Sequence, residues 1–254
     1  MPRGEDRLRI TMSSMILRVE EQLAGEVTRA IKAGDMDSLQ RVLGAHPGLA
    51  SARIKDDRGS KALLHVVTDW PGFFPNGPAV VTVLISAGSD PNARTEGGKF
   101  LETPLHWAAS NDDVEVAEAL ITGGADVEAG GASIAGGTTL DNAVGYGCWR
   151  VARVLLKHGA KVQKPWIAAA LGMTSLTASF FKDGSASSTE ELNHAFWQAC
   201  RGGNRRTAEY LLARGADLNW IPDYAKETAL QAASNVMDTG REALVNWLRG
   251  KGAR

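Results

Sequence analysis

Cysteine is scarce in this sequence, and long apolar runs are missing altogether. The two cysteines, Cys148 and Cys200, lie far apart and form no Cys-x-x-Cys pair. A disulfide scaffold is therefore not expected, and this usage is typical of a reducing, cytoplasmic protein. The sequence contains no stretch of 18 consecutive apolar residues, so it predicts no membrane-spanning helix. The first 17 residues contain no apolar run long enough for a secretory signal.

A marked charge imbalance and the common catalytic motifs are missing as well. Lysine and arginine total 28 against 29 acidic residues, which gives no electrostatic reason to expect nucleic acid or an anionic membrane as a partner. The five histidines are scattered without HExxH spacing, so no metal site is predicted. Glycine-rich phosphate loops and a GxSxG elbow do not occur. We therefore expect no cofactor and find no specific catalytic signature.

An internal repeat dominates the sequence. Its clearest copy is an apolar stretch, residues 103–109 (TPLHWAA), followed by a second apolar stretch, residues 114–121, and then Gly124-Ala125-Asp126. Thr103 and Pro104 suit a helix start, and glycine before Ala-Asp suits a helix end. Further copies begin near residues 62, 138 and 196, a degenerate copy begins near residue 166, and frayed copies cover residues 27–43 and 228–248. The pattern predicts seven helix pairs.

The motifs TPLHWAA and GGADVEA (residues 123–129) resemble those of the ankyrin-repeat family over residues 25 to 252. The resemblance implies an all-α ankyrin-repeat solenoid of about seven stacked helix pairs, with one degenerate repeat and capping repeats at both ends. We expect a repeat domain over residues 23–252 and a leader over residues 1–22, in which Met12–Ala24 could form an extra capping helix. His65 and His106 match the structural histidine that links neighbouring repeats in this family.

Departures from the repeat are the candidate functional features. Residues 69–78 contain three aromatics and three prolines between the helices of one pair. This loop either seals its own core edge or forms one wall of a binding pocket. The loops at residues 94–102 and 129–137 are long and rich in glycine, and ankyrin-like proteins use such finger loops to reach a ligand. Tolerance of insertions in exposed turns explains them equally well.

Several side chains are predicted to share one binding stripe. Asp69, Asn111, Tyr146 and Arg201 fall at the ends of first helices, where ankyrin-like proteins contact their ligands, although any solvated face shows similar variety. Trp70, Trp107 and Tyr146 are expected near the same edge, although core packing is the default for tryptophan. The complete set of candidate binding residues is Asp69, Trp70, Phe73, Phe74, Trp107, Ser110, Asn111, Tyr146 and Arg201.

Four carboxylates are candidates for acid–base chemistry. Asp112 and Asp113 stand between two predicted helices, where one of them would cap a helix N-terminus. Asp141 follows Thr138 by three residues, a spacing that favours a capping box. Together with Asp69, these groups would have to lie at the mouth of an aromatic pocket to act as acid and base. Capping is the favoured interpretation for Asp112, Asp113 and Asp141.

Three functions remain open from the sequence. The first, by analogy of fold, is a recognition scaffold that binds another protein through its concave face and finger loops. The second is a pocket for a small aromatic or apolar molecule, closed by the Trp70–Phe74 loop and served by Asp69, Asp112, Asp113 or Asp141. The third is a subunit or immunity-type partner in a larger complex. An enzymatic role is the less favoured expectation.

Overall fold

Helices form most of the described chain. The computed structural model of the protein describes residues 15–182, 188–235 and 241–254. Fourteen α-helices lie in these ranges: α1 (Gln22–Ala33), α2 (Met36–Ala45), α3 (Leu63–Val67), α4 (Gly77–Ser86), α5 (Pro104–Asn111), α6 (Val114–Thr122), α7 (Thr139–Tyr146), α8 (Trp149–Lys157), α9 (Pro165–Ala170), α10 (Thr174–Phe180), α11 (Thr189–Arg201), α12 (Arg205–Ala213), α13 (Ala229–Ser234) and α14 (Glu242–Gly250). No helix of these ranges is long and apolar enough to cross a bilayer.

The helices are paired, as the sequence pattern predicts. In the clearest copy, Thr103 precedes α5 in a capping box with His106, and Asp113 caps α6 directly after the turn. Helix α5 packs against α7, whereas α4 and α8 both pack against α6, so first helices contact first helices and second helices contact second helices. Fully buried leucines such as Leu105 and Leu120 fill the space between them.

The predicted histidine link between neighbouring copies is present at His65. This side chain is fully buried in α3, and its Nε2 lies 3.0 Å from the carbonyl oxygen of Glu102. Glu102 directly precedes Thr103, where the next copy begins. The hydrogen bond therefore joins one copy to the start of the next.

A small sheet corrects the expectation of an all-α fold. Strands β1 (Ile16–Arg18), β2 (Arg53–Asp56) and β3 (Gly59–Ala62) pair in that order, with β1 parallel and β3 antiparallel to β2. Residues 16–18 of the predicted leader are thus a strand and not part of a capping helix over Met12–Ala24, because β2 offers them a hydrogen-bonding edge. The first fourteen residues of that leader lie outside the described residues.

The chain divides into two compact units, and the extent of the repeat domain over residues 23–252 stays a prediction. The first unit ends at Ala160 and contains the sheet and helices α1 to α8. The second unit begins at Lys161 and contains α9 to α14 around a core that includes Phe196, Trp197 and Leu248. The degenerate copy is represented there by the short helices α9 and α10, and residues 183–187 after them lie outside the described residues.

Candidate functional site

The connection between α3 and α4, residues 69–76, is called the aromatic loop below. Trp70 is 81% exposed and Phe73 is 58% exposed, whereas Phe74 is only partly accessible. The Nζ of Lys32, on α1, lies 5.4 Å from the centroid of the Phe74 ring. The loop therefore presents two of its aromatic rings to solvent and packs the third against its neighbour.

Asp69 fixes the start of the aromatic loop. Its Oδ2 lies 3.2 Å from Lys32 Nζ and 3.1 Å from Lys61 Nζ, and its Oδ1 accepts the backbone N–H of Trp70. Partial burial alone would raise the pKa of Asp69, but the two ammonium groups outweigh it and hold the pKa below its ordinary value. A carboxylate held ionised in this way is a structural ion-pair partner and a poor proton donor.

The end of the aromatic loop is attached to the turn between α1 and α2. Asn76 Nδ2 donates a hydrogen bond of 2.9 Å to the carbonyl oxygen of Gly34. Gly34 has a left-handed φ of 63°, and a Cβ at this position would collide with the carbonyl of Pro75. The close approach of the two backbones therefore requires glycine here.

The turn between α5 and α6 holds the aromatic loop from the other side. The backbone N–H of Phe73 donates to Asp113 Oδ2 at 3.0 Å, and Asn111 Nδ2 donates to the carbonyl oxygen of Thr68 at 2.8 Å. Polar contacts to two neighbouring copies thus order the loop, although Trp70 and Phe73 face solvent.

Three of the candidate acid–base residues bind helix termini, as capping predicts. Asp113 Oδ1 accepts the backbone N–H of Val116 in its own helix, and Asp112 Oδ1 accepts a backbone N–H in the first turn of α8. Asp141 Oδ2 accepts the backbone N–H of Thr138, at 2.6 Å. These contacts satisfy backbone N–H groups at helix starts, and the role of the three carboxylates in acid–base chemistry stays a prediction.

Trp107 is held inside a network of charged groups. Its Nε1 donates to Glu102 Oε2 at 3.0 Å, Lys61 Nζ lies 5.3 Å from its ring centroid, and the His65 ring meets it edge-on at 5.0 Å. Glu102 Oε1 also accepts from Asn142 Nδ2 at 2.8 Å, which links the loop before α5 to α7. The Trp107 ring is therefore a partly buried structural element.

Three residues of the predicted stripe, Ser110, Asn111 and Tyr146, lie at the ends of α5 and α7, and their role in binding stays a prediction. Ser110 Oγ donates to the carbonyl oxygen of His106, and the Sγ of Cys148 lies 3.3 Å from the carbonyl oxygen of Ser110. Tyr146 is 51% exposed, and its hydroxyl lies 3.1 Å from Ser133 Oγ. Together with the bond from Asn111 to Thr68, these contacts make the ends of α3, α5 and α7 neighbours.

A cleft of about 280 Å³ lies beside Trp107 and Asp69 in the first unit. Its walls come from the β2–β3 hairpin and from the finger loop at residues 95–102, and Lys61 and Glu102 line it. Sequence reasoning missed these two residues, because their partners are set by the fold and no motif marks them. Neither Trp70 nor Tyr146 lines the cleft, so it does not support the predicted enclosure of a small molecule by those rings.

Arg201 belongs to the second unit, at the end of α11. Its guanidinium carbon lies 5.7 Å from the centroid of the Trp197 ring. A cation over an aromatic face at this distance is a favourable contact. The residue therefore packs on its own helix, and its predicted place on the stripe of the first unit stays a prediction.

Comparison with known proteins identifies the repeat in the middle of the chain. Residues 74–165 match the family model for ankyrin repeats in three copies. This segment contains helices α4 to α8 and carries ankyrin repeats, as the motif TPLHWAA indicates. No curated protein matches the chain significantly.

Proposed function

We propose that this protein is an ankyrin-type scaffold that binds another protein through the aromatic loop and the neighbouring ends of α5 and α7. Ankyrin repeats serve in general as protein-interaction scaffolds. The observation that carries the finer proposal is the exposure of Trp70 and Phe73 on a loop held by Asp69, Asn76 and Asp113.

The energetic argument rests on preorganisation. A large ring in water gains free energy when a partner covers it, at about 25 cal/mol per Å² of apolar surface. A flexible loop would lose much of that gain through ordering, whereas the hydrogen bonds of the aromatic loop order it before binding. Tryptophan is also among the residues most often found at the energetic centre of protein interfaces. Trp70 therefore has the properties of an anchor residue.

The test compares substitutions in the aromatic loop with a matched control. Trp70→Ser and Phe73→Asn remove the exposed rings, and asparagine tolerates the left-handed φ of Phe73. Val19→Ser is the control, because Val19 is an exposed apolar residue outside the loop. Proteins captured by the immobilised wild-type chain would be purified, and their Kd would be measured by calorimetry against each variant.

We expect Trp70→Ser to raise the Kd of a true partner by about thirtyfold or more, the loss typical of a central interface residue. Val19→Ser should leave the Kd unchanged, and the melting temperature of all three variants should stay near that of the wild type. A saturable partner with the same Kd for wild type and both loop variants would contradict the role of the loop. Failure to find any saturable protein partner would contradict the scaffold role itself.

A further inference from the structure

The second unit contains an aromatic cluster with His194 at its centre. The Trp166 ring stacks on His194 at a centroid distance of 5.6 Å, and the rings of Tyr224 and Trp220 lie at 5.8 Å and 6.1 Å. Tyr224 also meets the buried Trp197 ring edge-on at 6.0 Å. Three large rings thus surround one histidine, and a fourth ring, that of Trp197, packs against Tyr224.

One side of this cluster opens into a pocket, called the aromatic pocket below. Its lining includes His194, Trp220 and Tyr224 as walls, and three acidic residues, Glu190, Glu191 and Asp223. The volume is about 210 Å³. Because pockets for drug-sized molecules measure roughly 300–1,000 Å³, this space suits a single side chain.

Hydrogen bonds hold the walls of the aromatic pocket in place. The Tyr224 hydroxyl and His194 Nε2 are 2.6 Å apart, and Gln198 Nε2 donates to the Tyr224 hydroxyl at 3.2 Å. Tyr224 is nevertheless 65% exposed, so its ring is fixed on one side and accessible on the other. The site is therefore formed before any ligand arrives, which lowers the entropic cost of binding.

The charge of the aromatic pocket is one-sided. Burial lowers the pKa of His194 to about 4, so the imidazole is neutral at pH 7 and accepts the Tyr224 proton in their hydrogen bond. Among the described residues that line the pocket there is no lysine or arginine. One carboxylate, Glu191, also accepts the backbone N–H of Ser188, which leaves Glu190 and Asp223 as the other two negative groups.

The same aromatic cluster already binds cations of the chain itself at its outer rings. Lys164 Nζ lies 5.9 Å from the Trp166 centroid, and the Arg201 guanidinium lies 5.7 Å from the Trp197 centroid. Aromatic faces attract ammonium and guanidinium groups, and nearby carboxylates strengthen that attraction. The faces of Trp220 and Tyr224 combine both features around an accessible space.

We propose that the aromatic pocket binds the cationic side chain of an arginine or lysine in a partner polypeptide. The aliphatic stem would pack against Trp220 and Tyr224, and the charged end would pair with Glu190 and Asp223. This site uses residues of the second unit only, so it is independent of the aromatic loop. The aromatic pocket is tested with a peptide probe and does not require the partner of the proposed scaffold. Either proposal can therefore be contradicted while the other stands.

The experiment titrates the full-length protein with capped glycine-rich pentapeptides that carry one central arginine, lysine or glutamine. The indole N–H signal of Trp220 is followed by NMR and assigned with Trp220→Phe. We expect the arginine or the lysine peptide to shift this signal saturably with a Kd near 1 mM, about −4 kcal/mol. The glutamine peptide should cause no saturable shift, and the ratio of the two cationic Kd values identifies the preferred side chain.

Charge variants complete the test. The double variant Glu190→Gln, Asp223→Asn keeps the shape of the pocket and should weaken cationic binding at least tenfold. Glu209→Gln, which removes a carboxylate outside the pocket lining, should leave binding unchanged. Equal binding of the glutamine peptide, equal binding by the double variant, or no saturable shift with either cationic peptide would overturn the proposal.

Discussion

The first unit, ending at Ala160, and the second unit, beginning at Lys161, use different rings to make the same kind of link. In the first, the imidazole of His65 meets the carbonyl oxygen of Glu102, just before Thr103. In the second, Trp197 Nε1 donates to the carbonyl oxygen of Glu227 at 3.0 Å, and the next residue, Thr228, caps α13. In both units, a buried ring nitrogen therefore forms a hydrogen bond with the carbonyl oxygen of the residue that precedes the N-cap threonine of the next helix.

The two units also distribute their accessible aromatic residues differently. In the first unit, Trp70 and Phe73 extend outward from an ordered loop. In the second, Trp166, Trp220 and Tyr224 converge on His194. An outward ring suits insertion into a partner, whereas converging rings suit reception of a partner side chain. The two proposed sites therefore differ in the way each would contact a partner.

The largest effect should come from Trp197, whose side chain is only 2% exposed. Trp197→Ala leaves a cavity in the second unit and removes the hydrogen bond to Glu227, at a cost of about 3–5 kcal/mol of unfolding free energy. Trp197→His should cost less than Trp197→Ala, because imidazole retains a ring N–H. Urea denaturation with hydrogen exchange of α11 and α13 measures both, and equal losses would contradict a stabilising role of the ring N–H.

A smaller effect is expected from pH. Burial lowers the pKa of His65, His106 and His194 to about 4, well below the ordinary value of 6.5. Between these values the unfolded chain binds more protons than the folded chain, so stability falls as the pH drops from 6.5 towards 4. For the fully buried His65 the loss over the whole window is on the order of 3 kcal/mol.

Urea denaturation at pH 7.0, 6.0 and 5.0 measures this pH dependence. Two of the three histidines lie in the first unit, so hydrogen exchange should increase more in α3 and α5 than in α11. His65→Gln should reduce the slope, because it removes one titrating group. A stability that does not change between pH 7.0 and 5.0 would contradict the burial of these imidazoles.

The smallest effect should come from Asp69→Asn in the aromatic loop. The ion pairs to Lys32 and Lys61 are partly exposed, so their loss should cost only about 0.5–1 kcal/mol. The loop itself should lose order, since Asp69 fixes its first residue, and cleavage near Trp70 by chymotrypsin should become faster. Arg205→Gln, which removes an exposed ion pair to Glu209 in the second unit, is the matched control and should leave that rate unchanged.

Local signals in the sequence predicted much of the fold. The capping boxes at Thr103 and Thr138 act over three residues, and the helix pairs follow from them and from the spacing of apolar residues. The strand Ile16–Arg18 was missed, because three residues show no period and depend on pairing with β2, 37 positions later in the chain. Local reasoning could not find a partner at that distance.

The candidate site likewise has features that the sequence predicted and features that depend on distant contacts. The sequence marked the aromatic loop and the capping aspartates, because unusual composition and short spacing are visible along the chain. It did not show that Trp70 faces solvent while Trp107 packs under Lys61, or that Asp69 lies between two lysines. It also did not show that His194 gathers three aromatic rings.

The sequence by itself determined the paired helices, the ankyrin motif and the position of the aromatic loop between α3 and α4. Tertiary structure alone decided which aromatic rings are accessible and which charges surround them. The physical reason is range: caps and helix periods act within a few residues, whereas the contacts of Asp69 with Lys32 and of His194 with Trp220 join residues 37 and 26 positions apart. Such contacts exist only once the helix pairs have packed.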